Sequence, residues 1–392
     1  MSDMLYVGFQ DDDKIVVFAL DGDSGKLTKR ADVAAAGGPS VMAISPDRNT
    51  LYVGCRTRPS IASYRIDPAT GGLSLLGTAA QTDAPTFLAL DRTGRYMLCA
   101  YYQGGYVAVY PIAADGTIGA AATDNQKTAV GAHAIATDPS NRFAFVPHIA
   151  RIQDNVLEPP KNNPGPNVIL QYRFDAQTGR LSPNTPHRVE QRDLIGPRHY
   201  IHHPSLDVVY FSNEQGCSVT AYRIDVANGT LSSMQTTSTL PAGHSERTTC
   251  SQIHLTPSAR LLYVGNRAVN GSSIAAFAVD PETGHLTAAG HIPTEAVPSA
   301  FCLDPAGHFL FAAGTASGRL ASYRINEQSG ALTPVALEEV GHRPAAGGAG
   351  HPYRLMMWER SGWRECYKST WEQESPAIVL SQISSRSNSA RC

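Results

Sequence analysis

The sequence predicts an all-β fold: a seven-bladed β-propeller of four-stranded blades, its first blade closed by N- and C-terminal segments together. Three observations carry this. A hairpin signature of the form Y-x-I-D-x-x-T-G-x-L recurs along the chain, and its glycines are Gly25, Gly71, Gly116, Gly179, Gly229, Gly284 and Gly330. Successive intervals are 46, 45, 63, 50, 55 and 46 residues, so the variation consists of insertions on a common period. An apolar strand, a turn of the kind S-P-D or D-P-x-G and a second strand precede the hairpin, which makes four short strands per repeat, the content of one propeller blade.

In chain order, the first repeat opens on LYVG at Leu5 and continues into VFALDGDSGKL, with no strand ahead of it. The next six open on VMAISPDRNTLYVG, FLALDRTGRYMLCA, AIATDPSNRFAFVP, YIHHPSLDVVYFSN, IHLTPSARLLYVGN and AFCLDPAGHFLFAA. The missing strand must come from elsewhere. The segment GHPYRLMMWERSG matches GPSVMAISPDRN in spacing, so residues Pro352 to Trp358 are expected to supply the innermost strand of the first blade. Residues 1–362 are then one domain. Residues 363–392, which hold Trp363 and Trp371 and end in the Ser-rich SQISSRSNSARC, form an atypical tail, read as a disordered appendage or, alternatively, as a helix over Trp363 to Glu374. The long interval of 63 residues reflects an insertion, residues 150–167, between the second and third strands of the fourth repeat. Its Pro, Asn and Gly content reads as irregular loop.

Composition narrows the function. The chain is 42% hydrophobic and 17% charged, with a formal net charge of −2, and no Lys/Arg run is interleaved with aromatics. The electrostatic footprint of a nucleic-acid binder is missing. No run of 18 apolar residues suggests a membrane span, and MSDMLYVG lacks a basic region followed by an apolar one. The expected location is the cytoplasm, as a monomer or weak dimer. The seven cysteines are an odd number without a CxxC pair, and read as reduced thiols in apolar strands, not as metal ligands. No metal and no cofactor are expected.

Propeller geometry turns the repeat into a site prediction. The innermost strand lines the channel and the second runs antiparallel to it, so the start of the one and the end of the other meet on one face. The starts are Ser40, Thr86, His133, Arg198, Ser251, Ser299 and Tyr353, and the ends are Gln10, Arg56, Tyr102, Ile149, Glu214, Arg267 and Thr315. His133, Arg198, Glu214 and Arg267 come from three consecutive repeats and should cluster at one side of the channel mouth. Two arginines offer forked donors for a carboxylate, a phosphate or a forming oxyanion. Glu and His are candidate general bases or acids. A structural Arg–Glu ion pair is the plainer reading of the same residues. Arg56, Gln10 and Tyr102 are candidate substrate contacts on the same face; His148, just before the insertion, and Asp154 within it are further candidates, with solvated loop residues the plainer reading.

The blocks GPRHYIHHP, VVYFSNEQGCSVTAY, CSQIHLTPSARLLYVGNR and GAHAIATDPSNRFAFVP resemble the lactonase propeller family over roughly residues 4 to 345. That family contains cycloisomerase-type 6-phosphogluconolactonases and fungal carboxy-cis,cis-muconate lactonising enzymes. The resemblance implies a site of His133 in GAHAI, Arg198 in GPRH, Glu214 in SNEQ and Arg267 in GNRA, the four residues the repeat alignment selects. It implies chemistry that opens or closes a lactone ring without metal or organic cofactor. Related sequences usually carry a short segment of the kind D-L-G-x-D-R where this chain has its insertion, which should overhang the channel mouth. Hydrolysis of a sugar-derived lactone such as 6-phosphogluconolactone is the leading expectation. Hydrolysis of N-acyl-homoserine lactones, cycloisomerisation of a muconate-type acid and a non-catalytic binding module are the alternatives.

Overall fold

A computed structural model of the chain describes residues 3–149 and 166–340, and the backbone of 356–359. The described residues form 28 strands in seven four-stranded antiparallel sheets. Six sheets are consecutive in sequence. In blade five, for example, Pro197–His202, Val208–Asn213, Ser218–Asp225 and Thr230–Ser238 follow one another from the innermost strand outward.

The second strands are nearly continuous apolar runs because each is covered on both faces by neighbouring blades. Thr50–Cys55, Val208–Asn213 and Leu261–Arg267 are buried at every position. Outer strands return to alternation: Leu27–Ala34 buries its first residue and exposes most of the rest, as expected where one face meets water.

All seven signature glycines have positive φ, between 67° and 89°. At Gly229 the requirement is twofold, since φ is 69° and a Cβ would collide with the Phe143 ring of the preceding blade. The tyrosine of the LYVG-type strand uses the same junction. Tyr6, Tyr210 and Tyr263 are fully buried and donate their hydroxyls to the carbonyls of Gly71, Gly284 and Gly330 in the next blade, at 2.9, 2.8 and 3.0 Å. One motif therefore sets the hairpin, and the other staples it to its neighbour.

Ring closure follows the expected plan, with the described part of the closing strand at Met356–Glu359. Met356–Glu359 pairs antiparallel with Met4–Val7, placing Trp358 opposite Leu5. Of the expected strand, residues 352–355 lie outside the described residues, as does the tail 363–392. Closure also has support independent of that strand. Leu5, Val7, Phe9 and Phe18 of blade one share a core with Phe301, Phe309, Phe311 and Leu320 of blade seven. The Arg324 guanidinium of blade seven donates to the Asp23 carbonyl of blade one.

Candidate active site

His133, Arg198, Glu214 and Arg267 meet where the sequence places them, at the starts of inner strands and the ends of second strands in blades four to six. Glu214 directly follows the second strand of blade five. Its backbone is clamped on both sides: its N–H donates to the Gly196 carbonyl at 2.7 Å, and its carbonyl accepts from Cys250 N–H at 2.9 Å. Its carboxylate spans two arginines, Oε2 lying 2.7 Å from Arg198 Nε and Oε1 lying 2.9 Å from Arg267 Nη2. Arg267 Nη2 also donates to the Cys250 carbonyl at 2.9 Å. Exposures of 2% for Arg198, 3% for Glu214 and 6% for Arg267 make this a buried charge network, where isolated charges would be costly and paired ones persist. Two guanidiniums around one carboxylate leave a net positive charge among buried groups.

His133 stands against this network. Its N–H donates to Pro147 O at 3.0 Å, and its Nδ1 is buried without a hydrogen-bond partner among the described residues. Burial first, then the positive charges of Arg198, Arg267 and Arg56, hold its imidazole well below the ordinary value, so the ring is neutral at physiological pH. The Tyr102 ring meets it edge-on at 5.8 Å between centroids. Arg56 and Tyr102 thus border the cluster.

Of the other expected contacts, Gln10 and His148 fall among the described residues. Gln10 is buried in blade one and packs against Gly38 of blade two. His148 is fully buried, and its Nδ1 lies 3.1 Å from the Val146 carbonyl. The charged and titratable groups that face it are His187 and Arg188 of the outer strand Arg180–Glu190, and burial pushes its imidazole down to about 4. Asp154 lies outside the described residues, with positions 150–165 of the insertion. The end of the insertion is described: Asn167 is buried and its Oδ1 accepts from Gly196 N–H at 2.8 Å, two residues before Arg198.

The sequence reading missed His199. Its ring lies 5.0 Å from that of His133 and 5.1 Å from that of Phe87, edge-on to both. The cause is a bulge. In blade five Pro197 pairs with Asn213 and Tyr200 with Phe211, so Arg198 and His199 together oppose Ser212 alone. The extra residue re-aims the strand, as bulges do beside active sites. Blades two, six and seven carry irregularities at the same place, between Pro39 and Val41, Cys250 and Ile253, and Pro298 and Ala300. Strict alternation allows one residue per strand to face the channel at this level, and the bulge allows two. The available signal was the histidine after the arginine in GPRH.

Among the described residues no group of three or more His, Cys, Asp or Glu side chains is arranged to hold a metal ion, and no helix is long and apolar enough to cross a membrane. The arrangement suits anion binding with proton transfer by a neutral imidazole.

Comparison with known proteins bears on the family. Residues 4–346 match the family described as lactonase, seven-bladed β-propeller. The 6-phosphogluconolactonase of Pectobacterium carotovorum subsp. carotovorum (strain PC1) is 34% identical over 344 residues, covering 88% of this chain and 97% of that protein. The 6-phosphogluconolactonase of Serratia proteamaculans (strain 568) is 32% identical, covering 88% and 98%. Among solved structures, the periplasmic gluconolactonase PpgL of Pseudomonas aeruginosa superimposes with a TM-score of 0.80 at 25% identity, covering 92% of this chain and 100% of that one. A Lactobacillus plantarum protein, 22% identical with a TM-score of 0.77 over 92% and 99% of the two chains, shares the fold.

Proposed function

From the premise that the chain belongs to the lactonase seven-bladed β-propeller family, as its match over residues 4–346 shows, we propose that it hydrolyses a sugar-derived lactone, most simply 6-phosphogluconolactone. The observation that carries this is the buried Arg198–Glu214–Arg267 bridge with a neutral imidazole beside it. Attack of water on a lactone carbonyl moves negative charge onto oxygen, and guanidinium donors already fixed in place stabilise that charge without reorganising. Arg198 and Arg267 serve that purpose and draw in an anionic substituent of the substrate.

Glu214 and His133 were the two candidates for proton transfer. Each Glu214 oxygen is ion-paired to a guanidinium nitrogen, Oε2 without an aligned hydrogen bond, and we assign the carboxylate the part of a strut that holds the arginines. Proton transfer then falls to an imidazole. The attacking water loses a proton to the ring nitrogen as its oxygen bonds to the carbonyl carbon. On collapse the ring C–O bond breaks, and the departing oxygen takes that proton. Arg56 and Tyr102 border the space a substrate would occupy. All the groups come from one chain, so a monomer or weak dimer suffices. The buried free thiols Cys55, Cys99, Cys217, Cys250 and Cys302 fit a reducing compartment, the cytoplasm.

The test is a pH-stat screen of the purified chain against phosphorylated sugar lactones, neutral sugar lactones and N-acyl-homoserine lactones. Acid release above the spontaneous rate, fastest with the phosphorylated lactones, is expected. No acceleration with any of them, alongside loss of diene absorbance from carboxymuconate, would move the assignment to cycloisomerase.

A further inference from the structure

Three properties separate His199 from the four residues of the bridge and its companion imidazole. The first is access. His133 is 5% exposed, whereas His199 is only partly buried, so it is the more accessible imidazole of the pair. The second is orientation. Arg198 Nη1 stands 3.3 Å from His199 Nδ1 and 3.4 Å from Nε2. Near-equal distances to both nitrogens put the guanidinium over the face of the ring instead of in line with either lone pair. A guanidinium nitrogen therefore rests against the ring face, a contact cations favour, and leaves the in-plane lone-pair directions clear of Nη1. His133 and Phe87 meet it at 67° and 66°, fixing its tilt.

The third property is anchorage. The His199 N–H donates to Ser212 Oγ at 3.4 Å, and the single Ser212 hydroxyl proton is shared between the carbonyls of His199 and of Ser251 in blade six, at 3.3 and 3.1 Å. Ser212 is fully buried and is the single residue opposite the bulge. The bulge is therefore tied across two blades, and so is the direction in which His199 leaves the backbone.

We propose that His199 is the catalytic imidazole of this site, the group that takes the proton from the attacking water and returns it to the departing ring oxygen, with His133 positioning it from behind. The inference rests on the lactonase reading and names the residue that reading left open. The groups facing His199 are consistent with a resting base. Burial and then Arg198 on its own strand, His133 from blade four, and His254 and Arg267 from blade six all disfavour its protonated form, while Glu214 offsets part of the two guanidinium charges. A neutral ring is ready to accept a proton, and the cations that keep it neutral also drive the proton off again.

The experiment compares His199→Gln and His133→Gln with the wild-type chain in 6-phosphogluconolactone hydrolysis across pH, with thermal unfolding of each variant to exclude collapse. His199→Gln should lower kcat by about 100-fold or more with KM within about 3-fold, and the acid limb of the kcat profile should disappear. His133→Gln should lose less and keep that limb. A His199→Gln enzyme within about 3-fold of wild type, or one that loses rate but keeps the acid limb, overturns the assignment. A second readout is independent of the lactonase reading. Diethyl pyrocarbonate, which carbethoxylates accessible neutral imidazoles, should label His199 ahead of His133, and inorganic phosphate should protect it. If the wild-type chain opens no lactone, the parent reading fails and takes this role with it, whereas a working lactonase whose His199→Gln variant keeps its rate overturns the inference alone. His199 left unlabelled, or labelled equally with and without phosphate, refutes it.

Discussion

Replacing Glu214 by Gln removes one charge and almost no volume, and so isolates what the carboxylate contributes. In the native chain it faces two guanidiniums at 2.7 and 2.9 Å, all three groups buried. With about 4 Å between charge centres and an effective dielectric of about 20, each pair is worth about 4 kcal/mol of gross attraction, offset by desolvation and by repulsion between the arginines. The substitution leaves that repulsion unopposed, and breaking a buried pair from one side costs about 3–5 kcal/mol. A loss of that size is expected in urea or guanidinium midpoints at pH 7, together with a fall in lactone hydrolysis. The bridge makes a further demand: phosphate, which can replace the lost negative charge between Arg198 and Arg267, should recover part of the stability of Glu214→Gln and add less to the wild type. A variant as stable as the wild type, or one that phosphate does not help more, would refute the strut.

Other expectations follow from the same structure. Tyr263→Phe leaves the Gly330 carbonyl without its 3.0 Å donor at a fully buried inter-blade junction and should cost about 1–3 kcal/mol in a denaturant midpoint, with activity retained. Gly229→Ala sets a Cβ against Phe143 at a φ of 69° and should cost about 1–3 kcal/mol, or more if the ring cannot move. His148, ordinarily near 6.5, is held down to about 4, so the unfolded chain binds its proton at pH values where the folded chain does not. Its share of stability is complete above pH 6.5 and lost as pH falls towards 4, a drop of up to about 3 kcal/mol. His148→Gln should flatten unfolding midpoints measured between those pH values.

Much of this molecule is written at a scale the sequence exposes directly. A glycine forced to positive φ at Gly25 or Gly229, and a tyrosine stapling one blade to the next, recur because each blade solves the same packing problem. The repeat therefore also located His133, Arg198, Glu214 and Arg267, which occupy equivalent positions in successive blades. Departures from strand geometry were not legible. The bulge opposite Ser212 gives His199 a place at the channel that alternation would deny it. Conversely, His148 ends its strand at the right level but sits on the side that faces Arg188, because side-chain direction depends on parity along the strand and not on nearness to the site. The closing strand was legible in kind but not in register, since only its pairing with Met4–Val7 fixes which residues oppose blade one.

The most direct test of the account is the initial rate of acid release from 6-phosphogluconolactone at pH 7, corrected for spontaneous opening, for the wild type and for Arg198→Gln. The wild type should exceed the spontaneous rate, and the variant, which loses the guanidinium proposed to stabilise the forming oxyanion, should fall in kcat/KM by about 100-fold or more while remaining folded. A wild type no faster than the uncatalysed reaction, or a folded Arg198→Gln as fast as the wild type, would contradict it.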